Sequence, residues 1–302
     1  MNELDKNIYS DEIDVKDIIN ALFAFKKTII SFTSLAAICS VIYALYLPNI
    51  YTSSALLSVA NEKNQLSSKL GSFSTLAGIA GVSLPTDTNN PSAEAVARMK
   101  SFDFFSTYFL PNITLEDLYA SNGWDSEKNI ILYDSKLFDK SKNKWTNGPA
   151  PSNQEAYEIY KEIFSVSGDA KTGFVTVSIK SFSPHKAKEW LEIVIYNINE
   201  SMRDENIKTA SNSIEFLNNQ MQTTNLKELK DGLSQLMQSQ MQNLMLASVS
   251  DSYIYKVINS PIAPEKKSAP GRAFISIFGT FLGLVLSSLF ALFRYYRIKG
   301  NA

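Results

Sequence analysis

The chain has one histidine, His185, and one cysteine, Cys39. A zinc site takes four His, Cys or carboxylate ligands, or three and a water, and an activated nucleophile needs a base within reach. His185 directly follows Ser183-Pro184, in the first turn of an expected helix, where a solvated side chain is the default. Cys39 lies inside an uncharged apolar run, so no Cys–His pair can form. A Ser-His-Asp triad would have to use His185, and no GxSxG accompanies it. Carboxylate pairs such as Asp103 and Glu116 carry no weight in a chain with 30 acidic residues. The Gly/Ser/Ala-rich stretch Leu66–Leu84 (Gly71, Gly78, Gly81) lacks GxxxxGK[ST] and reads as a flexible or small-residue loop, not a phosphate cradle. No enzyme, metal or cofactor is expected.

What the sequence does carry is two uncharged apolar runs, Thr28–Leu47 and Ala273–Phe293, at opposite ends of its 302 residues. Each is about 20 residues long, enough to cross a hydrocarbon core of roughly 30 Å. The expected organisation is a tail (1–27), a first span (28–47), a large central domain (48–272), a second span (273–293) and a second tail (294–302). A net charge of −1 gives no reason to expect nucleic acid. With its only cysteine in a span, the central domain must be held by an apolar core and not by disulfides.

Lys16, Lys26 and Lys27 precede the first run, and Lys63 is the only basic residue close behind it. Positive charge stays on the cytoplasmic side, so both tails are expected in the cytoplasm and the central domain outside it, in the periplasm of a bacterium. A cleaved signal peptide fits poorly: residues 1–27 are long, contain Glu3, Asp5, Asp11, Glu12, Asp14 and Asp17, and no small-x-small site follows.

The elements that fill this frame are mixed. Asp11–Phe25 reads as an entry helix with Asp14 as N-cap and Val15, Ile18, Ile19 and Leu22 as its stripe. Tyr51–Asn61 alternates like a half-buried strand, as do Phe174–Lys180 and Tyr253–Asn259, and the last is placed to return to the sheet begun by the first. Pro91–Leu110 and Ser152–Ile163 read as helices. Asn112–Pro151 is polar and loop-like despite Trp124 and Trp145, and its Asn112-Ile113-Thr114 sequon is of a kind common by chance. Ser183-Pro184 is a helix start. Apolar residues then recur at three and four through Leu191, Val194, Ile198, Ala210, Ile214, Leu217 and Met221, and again through Leu226, Leu229, Leu233 and Leu236. These predict a helix from Pro184 to about Gln222 and a second to about Ala247, a helical extension over about 184–247. The first would reach nearly 60 Å, too long for a compact interior. Its stripe calls for partner helices. The fold class expected is α+β: two transmembrane helices flanking an α/β base with a long projecting helix.

Two stretches carry a resemblance. Ala156–Trp190 contains SVSGDAKTGFVTVSIKSFSPHKAKEW, a strand followed by the Ser183-Pro184 start and Trp190. Leu244–Arg272 contains MLASVSDSYIYKVINSPIAPEKKSAPGR, a return strand followed by Pro261, Pro264, Pro270 and the basic Arg272 at the membrane. In this order, between two terminal spans, the chain resembles the bacterial polysaccharide chain-length determinants, the Wzz-type polysaccharide co-polymerases. The resemblance implies a non-enzymatic inner-membrane homo-oligomer. It implies partners in a polysaccharide polymerase and a lipid-linked glycan, and a role in setting the number of repeats added, typically to the O-antigen of lipopolysaccharide.

Gly279, Gly283, Ser287 and Ala291 repeat every four residues in the second run, a smooth stripe that lets two helices approach closely and is the candidate for oligomer or transmembrane packing. Gln220, Gln222, Gln235, Gln238, Gln240 and Asn243 are candidate hydrogen-bonding contacts to a polar glycan. Two rival readings remain. One is a capsule or exopolysaccharide export co-polymerase partnering a separate cytoplasmic tyrosine kinase. The other is a two-span receptor, against which the short tails argue.

Overall fold

A computed structural model describes residues 21–60, 91–169, 172–249 and 252–299, with side chains to 297. The entry helix expected over Asp11–Phe25 lies outside these residues from 11 to 20, and the Leu66–Leu84 loop lies outside them entirely. The chain divides into two compact units, Met1–Asn49 with Ser268–Ala302, and Ile50–Lys267.

The first unit is built on two apolar helices, α1 (Lys26–Tyr46) and, late in the chain, α8 (Arg272–Lys299). Both are long and apolar enough to cross a membrane. Many of their large side chains, among them Ile30, Leu35, Ile42, Phe274, Phe281 and Leu289, are more than half exposed. In water such surface would be costly; in lipid it is matched to its solvent.

The second unit is a two-layer α+β body. Its sheet has the order β6-β7-β1-β8, every neighbour antiparallel. The strands are β1 (Tyr51–Val59), β6 (Phe164–Gly168), β7 (Phe174–Ser181) and β8 (Tyr255–Asn259). The alternation read from the sequence sets the register. Ala55 faces Val177, Leu57 faces Val175 and Ser53 faces Ile179, all buried, and Val166 and Phe164 extend the same rows from β6. Strand β8 does return to β1.

On this apolar face lies the first half of α6 (Pro184–Thr223), burying Ala187, Trp190, Leu191, Val194, Ile195, Ile198 and Met202. An aromatic cluster closes the core: Phe105 and Tyr160 have ring centres 5.1 Å apart, Phe109 and Tyr160 4.9 Å, and Phe109 meets Trp190 edge-on at 6.3 Å. Each such side chain contributes on the order of 2 kcal/mol when buried.

Two segments differ from the sequence reading. The helix expected over Pro91–Leu110 is α2 (Pro91–Met99), a break, then α3 (Phe102–Phe104) passing through a π-turn (Phe105–Phe109) into a 3₁₀ turn (Leu110–Asn112). Ser101 causes the restart: its Oγ accepts from Phe104 N–H at 3.1 Å and donates to Arg98 O at 2.8 Å. The π-turn presents both Phe105 and Phe109 to the core, where neither is exposed.

The stretch expected to be loop contains α4 (Leu115–Tyr119) and two small hairpins, β2 (Ser121–Asp125) with β3 (Ile130–Tyr133) and β4 (Phe138–Asp139) with β5 (Lys144–Trp145). Asp125 and Asp139 bend the chain by accepting from backbone N–H groups two and three residues on. Edge-on pairs of Trp145 with Phe138 and with Tyr119 hold the second hairpin. Strands this short leave no alternation to read.

Between β5 and β6, α5 (Asn153–Ile163) begins with a capping box: Glu155 N–H donates to Ser152 Oγ at 3.3 Å, and Ser152 N–H donates to Glu155 Oε2 at 2.8 Å.

Candidate functional site

Helix α6 is one helix with two environments. Up to Met202 it is the roof of the sheet; beyond that only Ala210 and Leu217 are buried. At 40 residues it is about 60 Å long. Its outer half turns at Thr224–Leu226 into α7 (Lys227–Val249), which runs back antiparallel: Met221 Sδ lies 3.5 Å from Ser234 Oγ, and one groove is lined by both Ser211 and Leu244. Ala210, Ile214, Leu217 and Met221 turn toward α7, as their spacing requires.

One partner helix does not cover both flanks. Phe216, Leu226, Leu229, Leu236, Met241, Met245 and Val249 remain exposed. A groove of about 350 Å³ between Ile214, Met237, Met241 and Leu244 opens on one side, and one of about 400 Å³ between Phe216, Leu217, Leu236 and Gln240 on another. Of the six candidate amides, Gln220, Gln222, Gln235 and Gln238 are exposed, while Gln240 and Asn243 are half-buried.

The return of the chain to the sheet is fixed by polar groups that periodicity does not register. Asn199, on the buried side of α6, accepts from the N–H groups of Ile254 and Tyr255 at 2.9 Å each, and donates to Tyr255 O at 3.2 Å and Ile195 O at 3.1 Å. The Tyr255 hydroxyl, in turn, donates to Ser92 O at 2.9 Å. Burial raises the pKa of the Tyr255 phenol, although its Ser92 contact works the other way. Ser53 Oγ donates to Ile262 O at 2.8 Å, holding the segment that follows β8. The signal for Asn199 was a carboxamide among the apolar residues Val194, Ile195 and Ile198, which calls for a buried partner.

Of the helix-start residues, Ser183 caps α6, its Oγ accepting from Lys186 N–H at 3.4 Å, and Pro184 sits in the first turn. Trp190 is 2% exposed at the centre of the core. Lys186 forms ion pairs with Glu189 at 3.0 Å and with the buried Asp117 at 3.3 Å. Asp117 also accepts from Tyr133 OH at 2.5 Å, and burial followed by this bond drives the Tyr133 pKa far upward. The start of α6 is thereby tied to α4 and β3.

Of the proline series, Pro261 is buried and Pro264 half-buried in the second unit. Pro270, preceded by a cis peptide bond, and Arg272 belong to the first. Arg272 does more than carry charge. Its Nη2 donates to Leu47 O at 3.2 Å and to Asn49 Oδ1 at 3.1 Å, filling a carbonyl that the end of α1 leaves open.

The four small residues of α8 all face α1. A Cβ on Gly279 would overlap Ser40, and one on Gly283 would overlap Ala36. Ser287 Oγ and Thr33 Oγ1 are 3.3 Å apart, and Ala291 is fully covered. Close contact of two helices is what such a stripe permits, and here the contact is made inside one chain. Among the described residues, no group of three or more His, Cys, Asp or Glu side chains is placed to hold a metal ion.

The family model described as Wzz, chain length determinant protein, matches residues 11–104, a stretch that takes in α1, β1 and α2. The match takes in the first long apolar helix, the strand that opens the large unit and the helix whose Ser92 carbonyl accepts from the Tyr255 hydroxyl. Among solved structures, a full-length bacterial polysaccharide co-polymerase is similar at 14% identity and a TM-score of 0.42, covering 96% of this chain and 100% of that one. A fragment of WzzB, a polysaccharide co-polymerase from Salmonella Typhimurium, is similar at 14% identity and a TM-score of 0.30, covering 73% of this chain and 100% of the other. No curated protein matches the chain.

Proposed function

We propose that this chain is a non-catalytic regulator of polysaccharide chain length, acting as a homo-oligomeric scaffold in the bacterial inner membrane. In this reading α1 and α8 cross the bilayer, both termini are cytoplasmic and the body from Ile50 to Lys267 is periplasmic. The placement of lysines around the first span supports that orientation. The glycan is a lipid-linked surface polysaccharide, with the O-antigen of lipopolysaccharide as the specific proposal, and the working partner is its polymerase.

One observation carries this reading beyond the Wzz match. The α6–α7 hairpin leaves apolar side chains uncovered on its flanks, along tens of ångströms of helix. Such surface is stable in water when neighbouring copies cover it. A ring of copies presents exposed amides such as Gln220, Gln222, Gln235 and Gln238 along the path of a polar polymer. Holding the growing glycan beside the polymerase raises its effective concentration there, and the finite length of the hairpin limits how long that advantage lasts.

The test is a deletion strain compared with the same strain carrying the gene, read as a ladder of lipopolysaccharide bands. The expected result is a broad, unclustered ladder in the deletion and a restored modal length on complementation. An unchanged ladder overturns the O-antigen role. Mass photometry of detergent-extracted protein tests the scaffold: a monomer overturns it.

A further inference from the structure

We propose that the end of the helix pair where α1 begins and α8 finishes binds an anionic phospholipid with two phosphates, diphosphatidylglycerol, through Lys26 and Lys27 of α1 and Arg294 and Arg297 of α8. The proposal rests on the reading that these two helices span a membrane.

The helices run antiparallel. Gly279 lies against Ser40 and Gly283 against Ala36, and the ring centres of Phe290 and Phe32 are 6.0 Å apart. One turn further on, the Arg294 guanidinium sits over the Phe25 ring, 5.5 Å from its centre. That contact brings the start of α1 level with the last turns of α8. Cations from the two ends of the chain are thereby collected at one end of the pair. All of Lys26, Lys27, Arg294 and Arg297 are exposed, and among the described residues none of them is in an ion pair. Neither helix contains an Asp or Glu to neutralise them.

Helix electrostatics accounts for only half of this cluster. The open carbonyls at the end of α8 favour Arg294 and Arg297. The start of α1 is itself a positive helix end, with no side-chain cap and no acidic residue in its first turn. Lys26 and Lys27 add charge of the same sign there, so the compensating anion has to come from outside the helix pair. Arg294 and Arg297 are three residues apart, near one face, and each offers a planar fork to phosphate oxygens. Phe293 and Phe290, just ahead of the arginines, are 68% and 49% exposed. A free phosphate ion would leave those rings uncovered, whereas acyl chains cover them. Basic groups where two spanning helices meet on the cytoplasmic side suit phospholipid headgroups. Two phosphates on one molecule suit cations supplied by two helices, since engaging the first makes the second contact intramolecular.

The experiment uses the full chain in detergent, so lipid competes with the acidic residues that precede α1. It is titrated with diphosphatidylglycerol or with phosphatidylglycerol at matched phosphate, and bound lipid is read by native mass spectrometry. The expected result is about tenfold tighter binding of diphosphatidylglycerol. R294Q/R297Q and K26Q/K27Q should each remove that preference, while K266Q/K267Q, which removes the same charge ahead of the other end of α8, should keep it. Equal binding of the two lipids, or equal loss in all three variants, means general attraction of positive charge to anionic lipid and overturns the site. Tighter binding of a polyprenyl diphosphate assigns the site to a lipid carrier and overturns the phospholipid. Cys39, the single cysteine, is exposed on α1 and takes a fluorophore in nanodiscs. Its escape from a mid-chain nitroxide lipid overturns the spanning reading and the site with it. Quenching there, together with equal binding of the two lipids, overturns the site alone.

Discussion

The side chain of Asn199 brackets the backbone of Tyr255, accepting from its N–H at 2.9 Å and donating to its carbonyl at 3.2 Å. The two residues are 56 positions apart, and the outer part of α6 and all of α7 lie between them. One carboxamide thus closes the loop formed by the two helices and delivers β8 to the sheet edge.

Asn199→Ala should therefore destabilise the large domain by about 3 kcal/mol, because it leaves buried backbone groups of Ile254 and Tyr255 without partners. Thermal unfolding of the purified chain measures it. Hydrogen exchange should place the early loss of protection in β8. A wild-type melting curve would mean that β8 is held by its ladder with β1 alone.

Replacing Gly279 or Gly283 with Leu should force α1 and α8 apart, at about 1–3 kcal/mol for each overpacked site. The expected readout is a lower unfolding midpoint in detergent. Oligomer size measured on the same samples tells whether the stripe also serves contacts between copies. An unchanged midpoint for both variants would show that the two helices can slide past the added side chains.

The β4–β5 hairpin should be acid-sensitive. The Ser141 hydroxyl and then the Lys142 ammonium hold the Asp139 carboxylate down from its ordinary 3.8 to about 2. A lowered folded pKa means the contribution is fully present above the unfolded value and is lost as pH falls through the folded one. Between about pH 4 and pH 2 the hairpin should lose order, seen in the side-chain signals of Trp145. Asp139→Asn should abolish that pH dependence, and a transition that survives the substitution would assign it elsewhere.

The start of α6 offers a graded pair. Ser183→Ala should cost about 1 kcal/mol through the lost cap. Trp190→Ala should cost about 4 kcal/mol by opening a cavity against Phe109. Equal effects in chemical denaturation would contradict the packing at Trp190.

The sequence alone determined the elements whose side chains repeat. Two uncharged runs predicted α1 and α8, because a hydrocarbon core of fixed thickness selects length and apolarity and nothing subtler. Alternation predicted β1 and β7, and a three-four pattern after Ser183-Pro184 predicted α6 to within a residue of its end. The tertiary structure decided what those faces meet. It placed Gly279 and Gly283 on Ser40 and Ala36, set Asn199 on Tyr255, and turned Arg272 back onto Leu47. It also raised two hairpins from Asn112–Pro151, where strands are too short for a period and aromatic contacts from outside each hairpin, Tyr51 on Trp124 and Tyr119 on Trp145, add to the stability. Periodicity is a property of neighbours along the chain. A hydrogen bond or a close helix contact depends on residues brought together from far apart, and that is settled only when the core closes.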